Sequence, residues 1–157
     1  MATPEAEAEA VRWMTTLNRE AAEAMQEVGV NACTDITGFG LLGHALEMAS
    51  ASGVTIELRA CRVPLTPGVT ELAHMGLIPA GSFANRKFCE RAITVEDGVE
   101  PLLVDLLADA QTSGGLLISV DSDRAEALHA KLEHRHVPHH EIGWVVGAST
   151  GQILVMG

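Results

Sequence analysis

Tyrosine is absent from this chain, aromatic residues make up only 3% of it, and 10 Lys and Arg stand against 21 Asp and Glu. A core so poor in rings must be filled by Leu, Val, Ile, Ala and Met, and a hydrophobic content of 47% supplies them. The formal net charge of −11 argues against nucleic acid and anionic lipid as partners, because both demand clustered Lys and Arg. An acidic protein still binds ATP when metal ions and backbone N–H groups meet the phosphates. Cysteine is scarce as well. Cys33, Cys61 and Cys89 are odd in number, widely spaced and without a CxxC pair, so they suggest free thiols in a reducing cytoplasm rather than a disulfide framework. No apolar run approaches the roughly 20 residues of a membrane span, and the start shows no charged stretch followed by an apolar one. Cytoplasm is the expected compartment. At 157 residues the chain suits one domain of ordinary size, with no internal repeat, low-complexity tract or linker.

Pattern and punctuation predict the elements. Thr3 as cap, Pro4 in the first turn, and Glu5 and Glu7 at the positive end of the dipole predict a helix over 4–28. Its apolar stripe is Ala10, Met14, Leu17, Ala21, Met25 and Val28. A short extended piece then runs into a glycine-rich turn, followed by a helix to about Ser52 that Gly53 ends. Residues 54–59 alternate as a strand with one buried face. Prolines and glycines over 64–88 predict short helices, the first near 68–74, and another helical piece spans about 99–108. The unbroken apolar run 116–120 predicts a central strand. A helix follows over about 123–135, with Ala125, Leu128 and Leu132 inward, and strands over 141–146 and 152–156 are expected to close as a hairpin through Gly147–Gly151. The expected class is α+β, a mixed or mainly antiparallel sheet with packed helices.

Two turns have the composition of a ligand site. In Asp35-Ile36-Thr37-Gly38-Phe39-Gly40, glycines let backbone approach a ligand, and a helix N-terminus behind them presents free N–H groups. A carboxylate just ahead can hold a hard cation against phosphate; equally, Asp35 and Thr37 could simply cap the helix. The segment is neither a Walker loop nor a Rossmann fingerprint. In Gln111-Thr112-Ser113-Gly114-Gly115, the hydroxyls could meet phosphate or water, or satisfy their own loop. The histidine-rich run His134–His140 contains a proline, follows a helix and lacks zinc-finger spacing, so a solvated loop is expected there. His44 and His74 are expected to be packed helix residues. No cysteine has an activating neighbour in sequence, so no nucleophile is assigned.

Together these turns resemble selenophosphate synthetase (selenide, water dikinase). Thr34-Asp35-Ile36-Thr37-Gly38-Phe39-Gly40-Leu41-Leu42-Gly43-His44 and Gln111-Thr112-Ser113-Gly114-Gly115-Leu116-Leu117 look like the signature pair of that family's C-terminal half. Gly76–Ser82 with Asn85 is similar to its middle loop, and Ile142-Gly143 with Gly151-Gln152-Ile153 to its closing hairpin. The family usually has proline where Ala110 stands. Sister families of this architecture, among them aminoimidazole ribonucleotide (AIR) synthetase, have other residues at the first turn.

The resemblance implies that residues 1–157 form a single AIR synthetase-like C-terminal domain, partly like a ferredoxin-like layer. It implies half of a phosphotransferase that makes selenophosphate from selenide, ATP and water, releasing AMP and phosphate. Mg²⁺ is the implied cofactor, with Asp35 as one of its ligands. Thr37, Gly38, Gly40, Thr112, Ser113 and Gly114 are the implied nucleotide-binding residues. The other metal aspartates, a reactive Cys or selenocysteine and an essential Lys would belong to an N-terminal domain, so no catalytic residue is assigned here. Met1 ahead of the first helix then looks like the start of a piece of a longer protein. The full-length enzyme is expected to be a homodimer, and the piece alone inactive and possibly monomeric. A sister ATP-dependent enzyme, or a non-catalytic binding module of the same fold, is the alternative.

Overall fold

A computed structural model describes residues 2–157. Its first surprise is a broken helix. Thr3 caps as expected, its hydroxyl accepting from the Ala6 N–H at 3.2 Å, and Pro4 opens α1 (Pro4–Thr15). The chain then turns extended at Thr16 and restarts as α2 (Arg19–Val28), correcting the single helix expected over 4–28. The Thr15 and Thr16 hydroxyls both donate back to carbonyls of the preceding turn, at Val11 and Arg12. Such back-bonding competes with helix continuation. The apolar stripe splits accordingly. Ala21 is buried and Met25 and Val28 pack on α2's partners, whereas Met14 and Leu17 stay exposed, Leu17 by 80%.

Among the described residues, six strands form two sheets. β1 (Ala32–Asp35) pairs antiparallel with β4 (Leu116–Ser119) as a two-stranded ribbon, Asp35 opposite Leu116. The second sheet has the order β3 (Ile93–Val95), β6 (Gln152–Met156), β2 (Val54–Arg59), β5 (Gly143–Ala148). In it β2 runs parallel to β6 and antiparallel to β5, and β3 runs parallel to β6. The α+β class with a mixed sheet is as expected; the closing hairpin is not. β2 lies between β5 and β6, so the Gly147–Gly151 connection crosses the end of β2 instead of turning between neighbours. Ser149 N–H bonds to the Gly53 carbonyl at 2.9 Å, and Gly151 lies so close to Ser50 that any side chain there would collide with it. Sequence adjacency favours pairing of successive strands but does not compel it. At three residues, β3 is too short to carry a period.

β2 buries Ile56 and Leu58 beside Ile153 and Val155 of β6. α3 (Gly40–Ser52) covers that face with Leu42, Ala45 and Ala49, all wholly buried, and Gly53 ends it in the left-handed conformation. The short helices α4 (Val69–His74), α5 (Ala80–Cys89) and α6 (Pro101–Leu107) pack around α3 and one another. Small residues on α3 allow this close approach, which a core with few rings requires.

The 116–120 run is not central in a sheet; it belongs to the ribbon. Its lack of alternation has a different cause. Leu117 points into the main core, while Leu116, Ile118 and Val120 pack on a second cluster of Ala21, Ala24, Leu128 and Leu132 from α2 and α7 (Ser122–His134). Both faces are therefore apolar. Leu128 and Leu132 are inward as expected, and Ala125 is half-buried. At the end of α7, Arg135 donates to Glu20, Glu23 and Glu27 along α2 at 2.6–2.8 Å. His136 takes φ 55°, with His136 N–H bonded to Glu133 O and Val137 N–H to Leu132 O, both at 2.9 Å. That is a Schellman cap, and Val137 completes it by packing on the α2–α7 cluster.

His136→Gly removes the strain of a side chain in the left-handed region and is expected to stabilise the fold by about 0.5–1 kcal/mol in urea unfolding; His136→Val should do the opposite. The Glu23 carboxyl is held below its ordinary range chiefly by the Arg135 hydrogen bond, and that of Glu27 chiefly by Lys131 and then Arg135. Lowered native values make this contribution complete above the unfolded glutamate pKa of about 4.3 and lost as pH falls through the native values. Arg135→Gln should therefore flatten the acid limb of a stability-versus-pH curve. An unchanged limb would mean the ion pairs are idle.

Candidate functional site

Antiparallel pairing puts the end of one strand beside the start of its partner. In this ribbon the end of β1 leads into the Asp35–Gly40 turn, and β4 is entered from the Gln111–Gly115 turn, so both motifs emerge at one edge. The ladder continues past the strands, with Ile36 N–H bonded to Gly115 O and Gly114 N–H to Ile36 O, both at 2.9 Å. The Thr37 carbonyl then accepts from Gly40 N–H and Gln111 N–H, both at 3.0 Å. The two turns, more than seventy residues apart in sequence, share one hydrogen-bond network.

α5 clamps this pair from the side. The Asn85 amide nitrogen donates to the Gly38 carbonyl at 2.9 Å and to the Ala108 carbonyl at 3.0 Å, bridging the first turn to the segment before the second. Ser82, wholly buried, donates to Asp109 Oδ1 at 2.6 Å, and Gln111 donates to Asp109 Oδ2 at 3.1 Å. Ser113 reaches the Thr16 carbonyl at 3.2 Å, tying the second turn to the break between α1 and α2. Asp109 had no signature of its own, and Ser82 stood only at the end of the Gly76–Ser82 motif. Asn85 figured only as part of a motif, because a bridge between two distant carbonyls exists only once the chain is folded.

The side chains expected to carry chemistry divide by their surroundings. Asp35 ends β1 exposed, and its carboxylate has no hydrogen-bond or ion-pair partner among the described residues. It does not cap α3: that helix begins behind Phe39 with no side-chain cap. Thr37 does not cap it either, since its hydroxyl lies 3.1 Å from His44 Nε2. Thr112 and Gly114 are exposed and Ser113 half-buried. Around Gly38 a Cβ would meet nothing within 4 Å, whereas at Gly40, with φ +66°, it would lie 2.6–2.7 Å from the Ala108 and Asp109 backbone. At Gly114 it would press on Ile36 at 2.9 Å. Gly40 and Gly114 are thus required by the packing of one turn on the other. Gly38 is open on the side where a ligand could come.

A carboxylate with no side-chain partner among the described residues is a free hard-oxygen donor. It suits Mg²⁺, which takes one or two carboxylates together with phosphate and keeps several waters. Among the described residues no three His, Cys, Asp or Glu side chains converge as a metal cluster. The histidine-rich stretch serves as the Schellman cap of α7, with His139 Nδ1 against the Val137 carbonyl at 2.8 Å. All three cysteines are unpaired, and burial pushes the Cys33 and Cys89 thiols up, away from the reactive thiolate. His44 is packed in α3, as expected, but both of its ring nitrogens are engaged.

Residues 2–155 match the family model described as AIR synthase related protein, C-terminal domain. The chain is 46% identical over 150 residues to the selenide, water dikinase of Nitratidesulfovibrio vulgaris (strain DSM 19637 / Miyazaki F), covering 96% of this chain and 43% of that protein. It is 55% identical over 126 residues to the selenide, water dikinase of Caldanaerobacter subterraneus subsp. tengcongensis, covering 80% of this chain and 36% of that one. The chain thus spans about two fifths of the length of these relatives. Among solved structures, hydrogenase maturation protein HypE superposes with a TM-score of 0.55 at 24% identity, over 89% of this chain and 38% of that one. Thiamine-monophosphate kinase from Stenotrophomonas maltophilia K279a gives 0.51 at 20%, over 80% and 31%. These two likenesses concern the fold alone.

Gly38→Ala is expected to leave thermal stability within about 0.5 kcal/mol of wild type, while Gly40→Ala costs at least about 1–2 kcal/mol from its positive φ alone. Equal losses in chemical denaturation would show that the first turn is packed throughout and has no open side.

Proposed function

Because the chain belongs to the AIR synthase related family through that family's C-terminal domain, we propose that it forms the ATP- and Mg²⁺-binding C-terminal half of a selenide, water dikinase. Residues 1–157 act as one domain in this reading, and an N-terminal domain of the same enzyme supplies the rest of the site. The whole enzyme makes selenophosphate from selenide, ATP and water, releasing AMP and phosphate. It works as a cytoplasmic homodimer. The reading is supported above all by the convergence of Asp35's unpartnered carboxylate with the Gln111–Gly115 turn at one edge of the ribbon. The high identity to dikinases over most of the chain favours it over the sister enzymes.

Phosphoryl transfer needs alignment and charge neutralisation more than a protein nucleophile, and Mg²⁺ supplies the neutralising charge. In this chain Asp35 contributes one carboxylate toward that ion. Gly38 leaves room for the phosphates to approach the backbone, and Thr112, Ser113 and Gly114 line the opposite turn. Asp109 is held by Ser82 and Gln111, one on each of its oxygens. With a net charge of −11, an ATP polyanion is repelled unless cations intervene. One carboxylate is too little to assemble them.

Two measurements test this reading. The isolated chain is expected to show no micromolar, Mg²⁺-dependent ATP binding in calorimetry. In a full-length protein carrying this segment, Asp35→Ala should abolish selenophosphate formation while the domain keeps its wild-type melting curve. Retained turnover would leave Asp35 without a role in catalysis.

A further inference from the structure

His44 is only 8% exposed, yet both nitrogens of its ring have partners. Nδ1 lies 3.1 Å from Glu47 Oε2, and Nε2 lies 3.1 Å from the Thr37 hydroxyl. The three groups form a line from α3 into the first turn, with Glu47 at the solvent end, its side chain 52% exposed. Phe39 lies beside the imidazole at 5.6 Å between ring centroids and helps fix its plane.

The chemistry of the line determines where its protons sit. An ionised carboxylate only accepts, so the hydrogen between His44 and Glu47 belongs to Nδ1. If the ring carries that hydrogen alone, Nε2 has a bare lone pair and the Thr37 hydroxyl donates its single proton to it. What remains on Thr37 Oγ1 is acceptor capacity alone. A phosphate oxygen, itself an acceptor, finds no donor there; a cation or a hydrogen of its water shell does.

We propose that His44 is a positioning residue: oriented by Glu47, it takes the Thr37 hydroxyl proton and makes Thr37 an acceptor for a divalent cation or its bound water, beside Asp35. This rests on the dikinase reading for the identity of the cation but not for the proton arrangement. It also alters the part expected of Thr37, from a phosphate contact to a contact with the metal's shell. Ligand-orienting partners of this kind are worth about 10- to 100-fold in metal affinity when removed.

The proton arrangement is read directly by long-range ¹H–¹⁵N correlation spectra of the ¹⁵N-histidine-labelled chain, with His44→Gln assigning the resonances. The expected result is a neutral His44 protonated at Nδ1 and bare at Nε2. Glu47→Leu, at an exposed position that should fold normally, removes the acceptor that holds the hydrogen on Nδ1 and should populate the other tautomer. A proton on Nε2 in the wild type, in either the other tautomer or the doubly protonated ring, overturns the proposal. So does a tautomer that Glu47→Leu leaves unchanged. In a full-length dikinase carrying this segment, Thr37→Val and Glu47→Leu should each raise the Mg²⁺ concentration for half-maximal rate about 10- to 100-fold. The KM for ATP at saturating Mg²⁺ should hold, and Thr37→Ser should restore the wild-type value. A raised KM for ATP with unchanged Mg²⁺ dependence would mean that the hydroxyl serves phosphate after all. If the unsubstituted full-length protein made no selenophosphate, the dikinase reading would fail, and the spectra would still decide the proton arrangement.

Discussion

The antiparallel register of a four-residue ribbon determines what this molecule can do. Asp35 sits opposite Leu116, so the chain leaves β1 and enters β4 at the same edge, and two turns distant in sequence become one surface. A slip of a single residue would reverse every side chain of the ribbon. It would turn Leu117 out of the main core and move Ile118 out of the α2–α7 cluster. Burial on both faces therefore enforces the register that the site needs, and stability and site geometry rest on the same residues. The polar groups of α5 add a lateral constraint, since Asn85 can reach the Gly38 and Ala108 carbonyls together only at one separation of the two turns.

Charge sets what this surface can bind by itself. The α2–α7 side of the ribbon satisfies its glutamates internally through Arg135 and Lys131, and the loops flanking it do likewise through Arg124, Asp121 and Asn31. Among the described residues no Lys or Arg pairs with Asp35 at the site edge. An arrangement that leaves one carboxylate bare beside open glycine backbone is poor for binding an anion and well suited to sharing a cation. That asymmetry is consistent with a chain that spans about two fifths of the dikinases it resembles.

Local features were legible in the sequence where local chemistry decides them. Thr3 with Pro4, the Gly53 stop, the alternation of 54–59 and the short helices after Pro64 all fold as their residues dictate. Pairings were less legible. Nothing in 141–156 reveals that β2 inserts between β5 and β6, because the competitor strand lies some ninety residues upstream. The 116–120 run has the composition of a central strand because two separate cores, not two sheet neighbours, cover it. The 4–28 stripe kept its period across Thr15 and Thr16, and only the back-bonded hydroxyls reveal the break. At the site, Asp35 and the glycines stood out by motif. Ser82, Asp109, Asn85 and the His44–Glu47 pair act through folded-state contacts, which no spacing rule anticipates.

On the dikinase reading, the ribbon presents Asp35 to a nucleotide-bound metal at the seam with another domain. A crystal structure of a full-length dikinase carrying this segment, with Mg²⁺ and a non-hydrolysable ATP analogue, tests it most directly. The account predicts an Asp35 carboxylate oxygen at about 2.0–2.1 Å from a Mg²⁺ ion, with the Gln111–Gly115 turn facing the same phosphates. A nucleotide bound elsewhere, with Asp35 in solvent and no cation near it, would contradict it.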